Sequence, residues 1–239
     1  NLYSEFPHKA STNTVSEADI PSTMILMNHI FGDQVELGIK YMKILYEHPQ
    51  QILPVIVLVS IERGTGKTTF LNWIDMLFMD NSILINPEDI LDKFNSGYAV
   101  KNIIMIDELI LDKTSGVEKL KALATAKKVS INPKFVQQYS VPFYGKIIMA
   151  TNKEKGFMKI DKEEIRFWIR KIPVIPQANH NINIENDLFK EIPAFLKYLE
   201  QLPDIDFTKS RMVFTAKEIS TDQLSIVKEE SKSALCKEL

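Results

Sequence analysis

The chain has 239 residues, 45% hydrophobic and 25% charged, as expected of an ordinary soluble globular protein built as one large domain or one domain with extensions. Its apolar runs fall far short of the ~20 residues of a membrane helix, and its one cysteine, Cys236, excludes an intrachain disulfide or a multi-cysteine metal site. The net charge of −2 is unevenly spread: Lys119 to Lys171 carries 13 Lys and Arg against 4 Asp and Glu, and the remainder 16 against 27, as in a protein with one nucleic-acid-facing surface.

Residues 1–22 are polar, contain Pro7 and Pro21 and lack periodicity, which predicts an irregular arm. The first residue is Asn1 rather than Met, so the chain is expected to be a piece of something longer, in a reducing, cytoplasmic setting. From Thr23 to Tyr46 apolar residues recur at helical spacing, until His48-Pro49 and Pro54 break the pattern.

Val55 to Val59 is an apolar strand that runs into a short polar loop and then a helical pattern reaching about Met79. That strand–loop–helix context is the one a phosphate-binding loop requires. Arg63, Gly64, Thr65, Gly66, Lys67, Thr68 and Thr69 form it. Small residues let backbone N–H groups turn inward around a polyphosphate, and the helix N-terminus adds partial positive charge. Lys67 suits the β- and γ-phosphates of ATP, and the Thr68 hydroxyl suits Mg²⁺. The full pattern asks for glycine where this chain has Ile61. The alternative is a strand–helix turn that merely contains GTGKTT.

Ser82 to Ile85 reads as a short strand, and Asn86-Pro87 opens a helix through Asp92 or Phe94. Asn102 to Ile106 is a buried strand ending in Asp107 and Glu108. Asp107 fits the Mg²⁺ shell, and Glu108 fits the orientation of an attacking water. Val117 to Ala126 looks helical. Lys128–Ile131 and Val136–Val141 flank Asn132-Pro133-Lys134-Phe135 as a β-hairpin. Lys146 to Thr151 is a further buried strand ending at Asn152, whose amide suits the attacking water or the γ-phosphate; a plain turn residue is the alternative. Ile165 to Ile172 is a strand whose Arg166 and Arg170, four residues apart, are expected on one face. Glu185 to Gln201 and Ala216 to Leu235 read as helices, the second opened by the capping-box pattern Thr215–Glu218. Strands and helices alternating around a phosphate loop predict an open α/β sheet.

The order GTGKTT, IIMIDE, a Lys-bearing hairpin, KIIMATN and EIRFWIRKIP resembles superfamily 3 helicases of viruses and phages, and more closely the helicase part of phage-type primase–helicases. The likeness covers about residues 53–175. It implies a P-loop ATPase core of AAA+ type at 51–176, with a central mostly parallel sheet, flanking helices and a projecting β-hairpin. Residues 1–50 would be an arm and helical extension, and 177–239 a second helical extension packing with the first. It further implies ATP and Mg²⁺ (through Thr68 and Asp107), γ-phosphate sensing by Asn152, and a ring, expected as a hexamer. Arg166 would serve the neighbouring subunit's site, with Arg170 as second candidate. Single-stranded DNA would be gripped at the hairpin tip by Lys134 and Phe135, with Lys128 nearby. Family members often carry Lys-His at that tip, so Phe135 is a departure. No primase signature is visible, so any priming domain lies outside this chain, and no membrane partner is expected. Two other readings stay open: a phosphotransferase built on the same loop, and an ATP-switched replication-initiation or assembly protein without unwinding activity.

Overall fold

The computed structural model describes residues 4–90, 95–108, 110, 114–131 and 137–235, without the side chains of 114 and 233–235. Five strands, β1 (Val55–Val59), β2 (Ser82–Ile85), β3 (Ile103–Ile106), β6 (Lys146–Thr151) and β7 (Phe167–Lys171), form one sheet in the order β2-β3-β6-β1-β7. Every pairing in it is parallel. The inner strands β1, β3 and β6 are buried at every position. A parallel sheet with both faces covered needs such continuous apolar runs, which is why those strands were the easiest to read.

Alternate side chains divide between two cores. Ile56, Leu58, Ile148 and Trp168 pack with α1 (Pro21–Phe31), α2 (Val35–Glu47), α3 (Lys67–Phe78) and α5 (Ile184–Gln201). Val57, Met149, Phe167 and Ile169 pack with α4 (Thr114–Ala124) and α6 (Asp222–Leu235). The helices α1, α2 and α5, from the expected extensions 1–50 and 177–239, therefore share one apolar core with the sheet. The fold is α/β, a parallel sheet between helical layers. Apart from it, β4 (Lys128–Ile131) and β5 (Tyr139–Pro142) pair antiparallel, as the hairpin reading expected, although β5 starts at Tyr139 rather than Val136. No described helix is long and apolar enough to cross a membrane.

Other differences from expectation have local causes. The helix predicted from Thr23 to Tyr46 is two helices, broken at Gly32. Gly32 has φ +50, and a Cβ there would lie 2.8 Å from the Arg170 guanidinium; a left-handed residue in close contact interrupts a helix whatever its apolar spacing. The arm predicted as irregular over 1–22 is so only in part: the described residues 4–16 form no helix or strand, but Glu17–Asp19 make a 3₁₀ turn and α1 already starts at Pro21. The arm is fastened to the body: Ser11 N–H donates to Pro193 O (2.8 Å), His8 Nε2 to Met76 O (2.8 Å) and Gln201 Nε2 to Val15 O (2.7 Å). The Thr215–Glu218 capping box forms, yet it closes only a turn. The helix α6 begins at Asp222, where Thr221 Oγ1 accepts from Leu224 N–H (3.1 Å). The helix predicted through Asp92 or Phe94 shows a 3₁₀ turn at Pro87–Ile90, and residues 91–94 lie outside the described residues.

Lys146, at the start of β6, is buried and donates to Tyr144 O (2.7 Å) and to Pro49 O. Burial pushes its ammonium down to about 7. Between that value and the ordinary 10.5 the unfolded chain holds a proton that the folded chain has released, so this residue makes stability rise with pH across the window. The slope should not exceed about 1.4 kcal/mol per pH unit. Denaturant titrations at pH 6, 8 and 10 should show wild type gaining on Lys146→Met as pH rises. Parallel curves would contradict the burial of the charge.

Candidate functional site

Because the five strands are parallel, their C-terminal ends open on one edge of the sheet. The register pairs Val59 with Thr151 and Ile106 with Met149, so the residues after β1, β6 and β3 emerge side by side, about 4.8 Å apart from strand to strand. Those residues are the phosphate-loop candidate, Asn152, and Asp107-Glu108.

The loop is shaped by two glycines and held from outside. Gly64 (φ +66) and Gly66 (φ +75) are its left-handed positions. Ile61 has ordinary backbone and an exposed side chain, so the missing glycine costs the loop no strain. Ile175 N–H donates to Gly64 O (3.1 Å), His29 Nε2 to Thr65 O (3.0 Å), and Phe70 N–H to Gly66 O (2.9 Å). Two successive carbonyls are thus anchored from outside and the third by the first turn of α3, an arrangement that lets a loop offer its N–H groups to an anion. A Cβ on Gly66 would meet Ile175 Cδ1 at a tight 3.2 Å, and its φ of +75 favours glycine there. At Gly64 a Cβ would meet nothing within 4 Å; only φ, and any ligand, demand its absence.

Lys67 opens α3 and is buried; its Nζ donates to Ser60 O and Thr65 Oγ1, both at 3.3 Å. Burial lowers its pKa from the usual lysine value, partly opposed by the nearby negative charge of Asp107. Thr68 and Arg63 are exposed and Thr69 half-buried. Asp107 is half-buried and accepts the Glu108 N–H at Oδ1 (2.9 Å). Glu108 is exposed at φ +56, a left-handed conformation that costs a residue with a Cβ about 1–3 kcal/mol. Such strain persists where the surroundings dictate it, as at a site. Asn152 is exposed and directly follows Thr151, whose carbonyl accepts Ser60 N–H (3.2 Å) at the start of the loop.

The described residues contain no group of three or more His, Cys, Asp or Glu able to hold a metal. A hydroxyl at Thr68 and one carboxylate at Asp107 match instead a Mg²⁺ that keeps several waters and shares phosphate oxygens. A cavity of about 510 Å³ lined by Glu17, Met24, Lys40, Tyr198 and Lys209 opens among α1, α2 and α5. None of the site residues lines it.

The two arginines do not share a face. Arg170, on β7, donates to Asp33 Oδ1 (3.0 Å) and Gln34 Oε1 (2.8 Å), and so locks the sheet to the corner between α1 and α2. Arg166 precedes β7, because the strand begins one residue later, at Phe167, and its side chain turns toward Glu164 and Lys121 O of α4. Val55 N–H donates to Arg166 O (2.8 Å), which puts Arg166 at the start of β1. The candidate phosphate loop lies beyond the other end of that strand, roughly 13 Å away at ~3.3 Å per residue. Lys128 is exposed on β4, and the hairpin tip with Lys134 and Phe135 lies outside the described residues. His29 and Ile175, which clamp the loop, and Glu164, which holds Arg166, were not singled out from the sequence. His29 stands beside Asn28 in a largely apolar helix and carries no spacing signal, and Glu164 lies within a run of charges.

A family model described as a family of unknown function (DUF5906) matches residues 58–170, the stretch from the end of β1 to Arg170. No curated protein matches. Among solved structures, the chain is similar to an apo structure of the NrS-1 C-terminal region, at 17% identity and TM-score 0.75, covering 95% of this chain and 55% of that one. An A-form apo structure of the NrS-1 C-terminal region superposes with TM-score 0.78 at 16% identity, covering 98% and 55%. The chain thus spans about half the length of the structures it matches, and the likeness is one of fold.

Proposed function

We propose that this chain is the motor part of an ATP-dependent DNA helicase or translocase of phage or mobile-element replication, hydrolysing ATP between subunits of a ring. The observation that carries the reading is the convergence of an anchored loop, a buried Lys67, Asp107 with the strained Glu108, and Asn152 at one sheet edge. In this reading the loop N–H groups and Lys67 bind the polyphosphate of ATP, and Thr68 and Asp107 hold Mg²⁺, which would neutralise developing phosphoryl charge. Glu108 orients and deprotonates the attacking water, and Asn152 fixes that water without adding negative charge. Arg166 lies too far from its own loop to help there, so its service belongs to a neighbouring subunit. That placement supports the ring over a phosphotransferase, in which both arginines would act on their own site.

ATP hydrolysis measured with and without single-stranded DNA tests the proposal. Wild type should be stimulated, and Lys134→Ala should lose the stimulation while keeping its basal rate. Lys128→Ala should weaken it in a salt-dependent way, because a phosphate contact is replaced by counterions. An ATPase indifferent to DNA and monomeric with nucleotide would sink the helicase reading and favour an assembly switch or a phosphotransferase.

A further inference from the structure

Resting on the shared-site reading, we propose that Glu164 is the positioning residue of the finger: it grips one edge of the Arg166 guanidinium so that the opposite edge is presented, already oriented, to a neighbour's nucleotide. The grip is bidentate. Arg166 Nε donates to Oε1 and Nη2 to Oε2, each at 2.7 Å. The carboxylate is itself fixed, since Oε1 also accepts the N–H groups of Ile165 (3.0 Å) and Arg166 (2.8 Å), and its side chain is 1% exposed. Behind it, Lys228 of α6 donates to Glu164 O (2.7 Å), and Arg166 O is tied to β1.

A buried carboxylate needs compensation, and two cations give it. Burial alone would raise the Glu164 pKa, but the hydrogen bonds and charge of Arg166, helped by Lys121, bring it below the usual glutamate value. Lys121 lies 3.5 Å from Oε2 and is held by Glu118 (2.7 Å) and Asp161 (2.9 Å). If Arg166 shifts toward a phosphate, Lys121 still balances Glu164, so no uncompensated buried charge results.

The Arg166 side chain is 32% exposed, and among the described residues its Nη1 makes only a long contact to Lys121 O (3.5 Å). A fork held through Nε and Nη2 keeps its Nη1 edge for a ligand. Arginine loses much rotamer entropy when it is ordered, and a finger fixed beforehand need not be ordered during the reaction.

Steady-state hydrolysis by the full chain with single-stranded DNA separates this role from a structural ion pair. Glu164→Gln and Glu164→Asp should each lower kcat by about tenfold to a hundredfold, with KM for ATP kept within about twofold. Mixing Glu164→Gln with Lys67→Ala subunits should restore turnover, because intact fingers from one meet intact loops from the other. Should Glu164→Gln fail to fold, Glu164→Asp decides, since it keeps the charge beside Lys121 and withdraws it from Arg166. Wild-type kcat in the Glu164 variants beside an inactive Arg166→Ala overturns the proposal and leaves the shared site standing. An active Arg166→Ala instead removes the shared site itself. Loss of kcat that mixing does not restore also overturns the proposal, since the lesion then lies in the subunit's own site.

Discussion

Lys67→Ala should lower ATP turnover by about a hundredfold or more, the effect of removing one preorganised charge from a phosphoryl-transfer site, while shifting the melting temperature by less than ~4 °C. The two halves of that expectation have one cause. Without nucleotide, the Lys67 ammonium is buried against Ser60 O and Thr65 Oγ1 through two 3.3 Å contacts, longer than good hydrogen bonds. Its lowered pKa reflects a charge that burial disfavours. Alanine removes weak bonds and an ill-solvated charge together, so the effects on folding largely offset. The loss falls on ligand binding, where the ammonium would exchange two neutral oxygens for phosphate. Glu108→Gln should behave differently, with nucleotide affinity retained within about threefold and turnover lost, because a base is needed only after ATP is bound. Fluorescent-nucleotide titration beside a phosphate-release assay separates the two. If Lys67→Ala binds and hydrolyses like wild type, the loop is a plain strand–helix turn.

The site was legible because its parts follow uninterrupted apolar strands. Val55–Val59, Ile103–Ile106 and Lys146–Thr151 are each short, buried and closed by polar residues, and a parallel sheet then delivers those polar residues to one edge without further information. What the sequence hid is whatever depends on tertiary packing. Apolar spacing runs through Gly32 as though the helix continued, since the contact that favours glycine comes from Arg170, a residue distant in sequence. The capping residues Thr215 and Glu218 bond as their pattern implies, but local chemistry alone does not set where a helix goes on. Arg166 and Arg170 have the spacing of a shared face, which holds only if both are in the strand; Arg166 is one residue outside it, where Glu164 rather than the pleat sets its direction.

The largest stability effect should come from Trp168→Ala. Trp168 is fully buried on β7, with ring centroids of Phe31 at 5.0 Å, Phe214 at 6.0 Å and Tyr41 at 6.2 Å. Its Nε1 donates to Gln34 Oε1 (2.7 Å), and the Gln34 amide nitrogen donates to Glu218 O (2.7 Å) and Ser220 O (3.1 Å). One side chain thus joins the sheet, the corner between α1 and α2, and the turn before α6. Truncating a buried tryptophan costs about 3–5 kcal/mol, a large share of the roughly 5–15 kcal/mol that holds a domain folded. The melting temperature should fall by about 6–20 °C. Trp168→Phe should lose much less, since it keeps most of the ring contacts and Arg170 still donates to Gln34 Oε1. The consequence for function follows from the chain itself. Trp168 anchors the strand that Arg166 directly precedes, and Ile175, whose N–H holds the candidate phosphate loop, follows beyond its end. Below its melting temperature Trp168→Ala should therefore lose hydrolysis out of proportion to its unfolded fraction. Thermal denaturation and turnover measured on the same samples test this; an alanine variant within ~2 °C of wild type would remove the joint from the account.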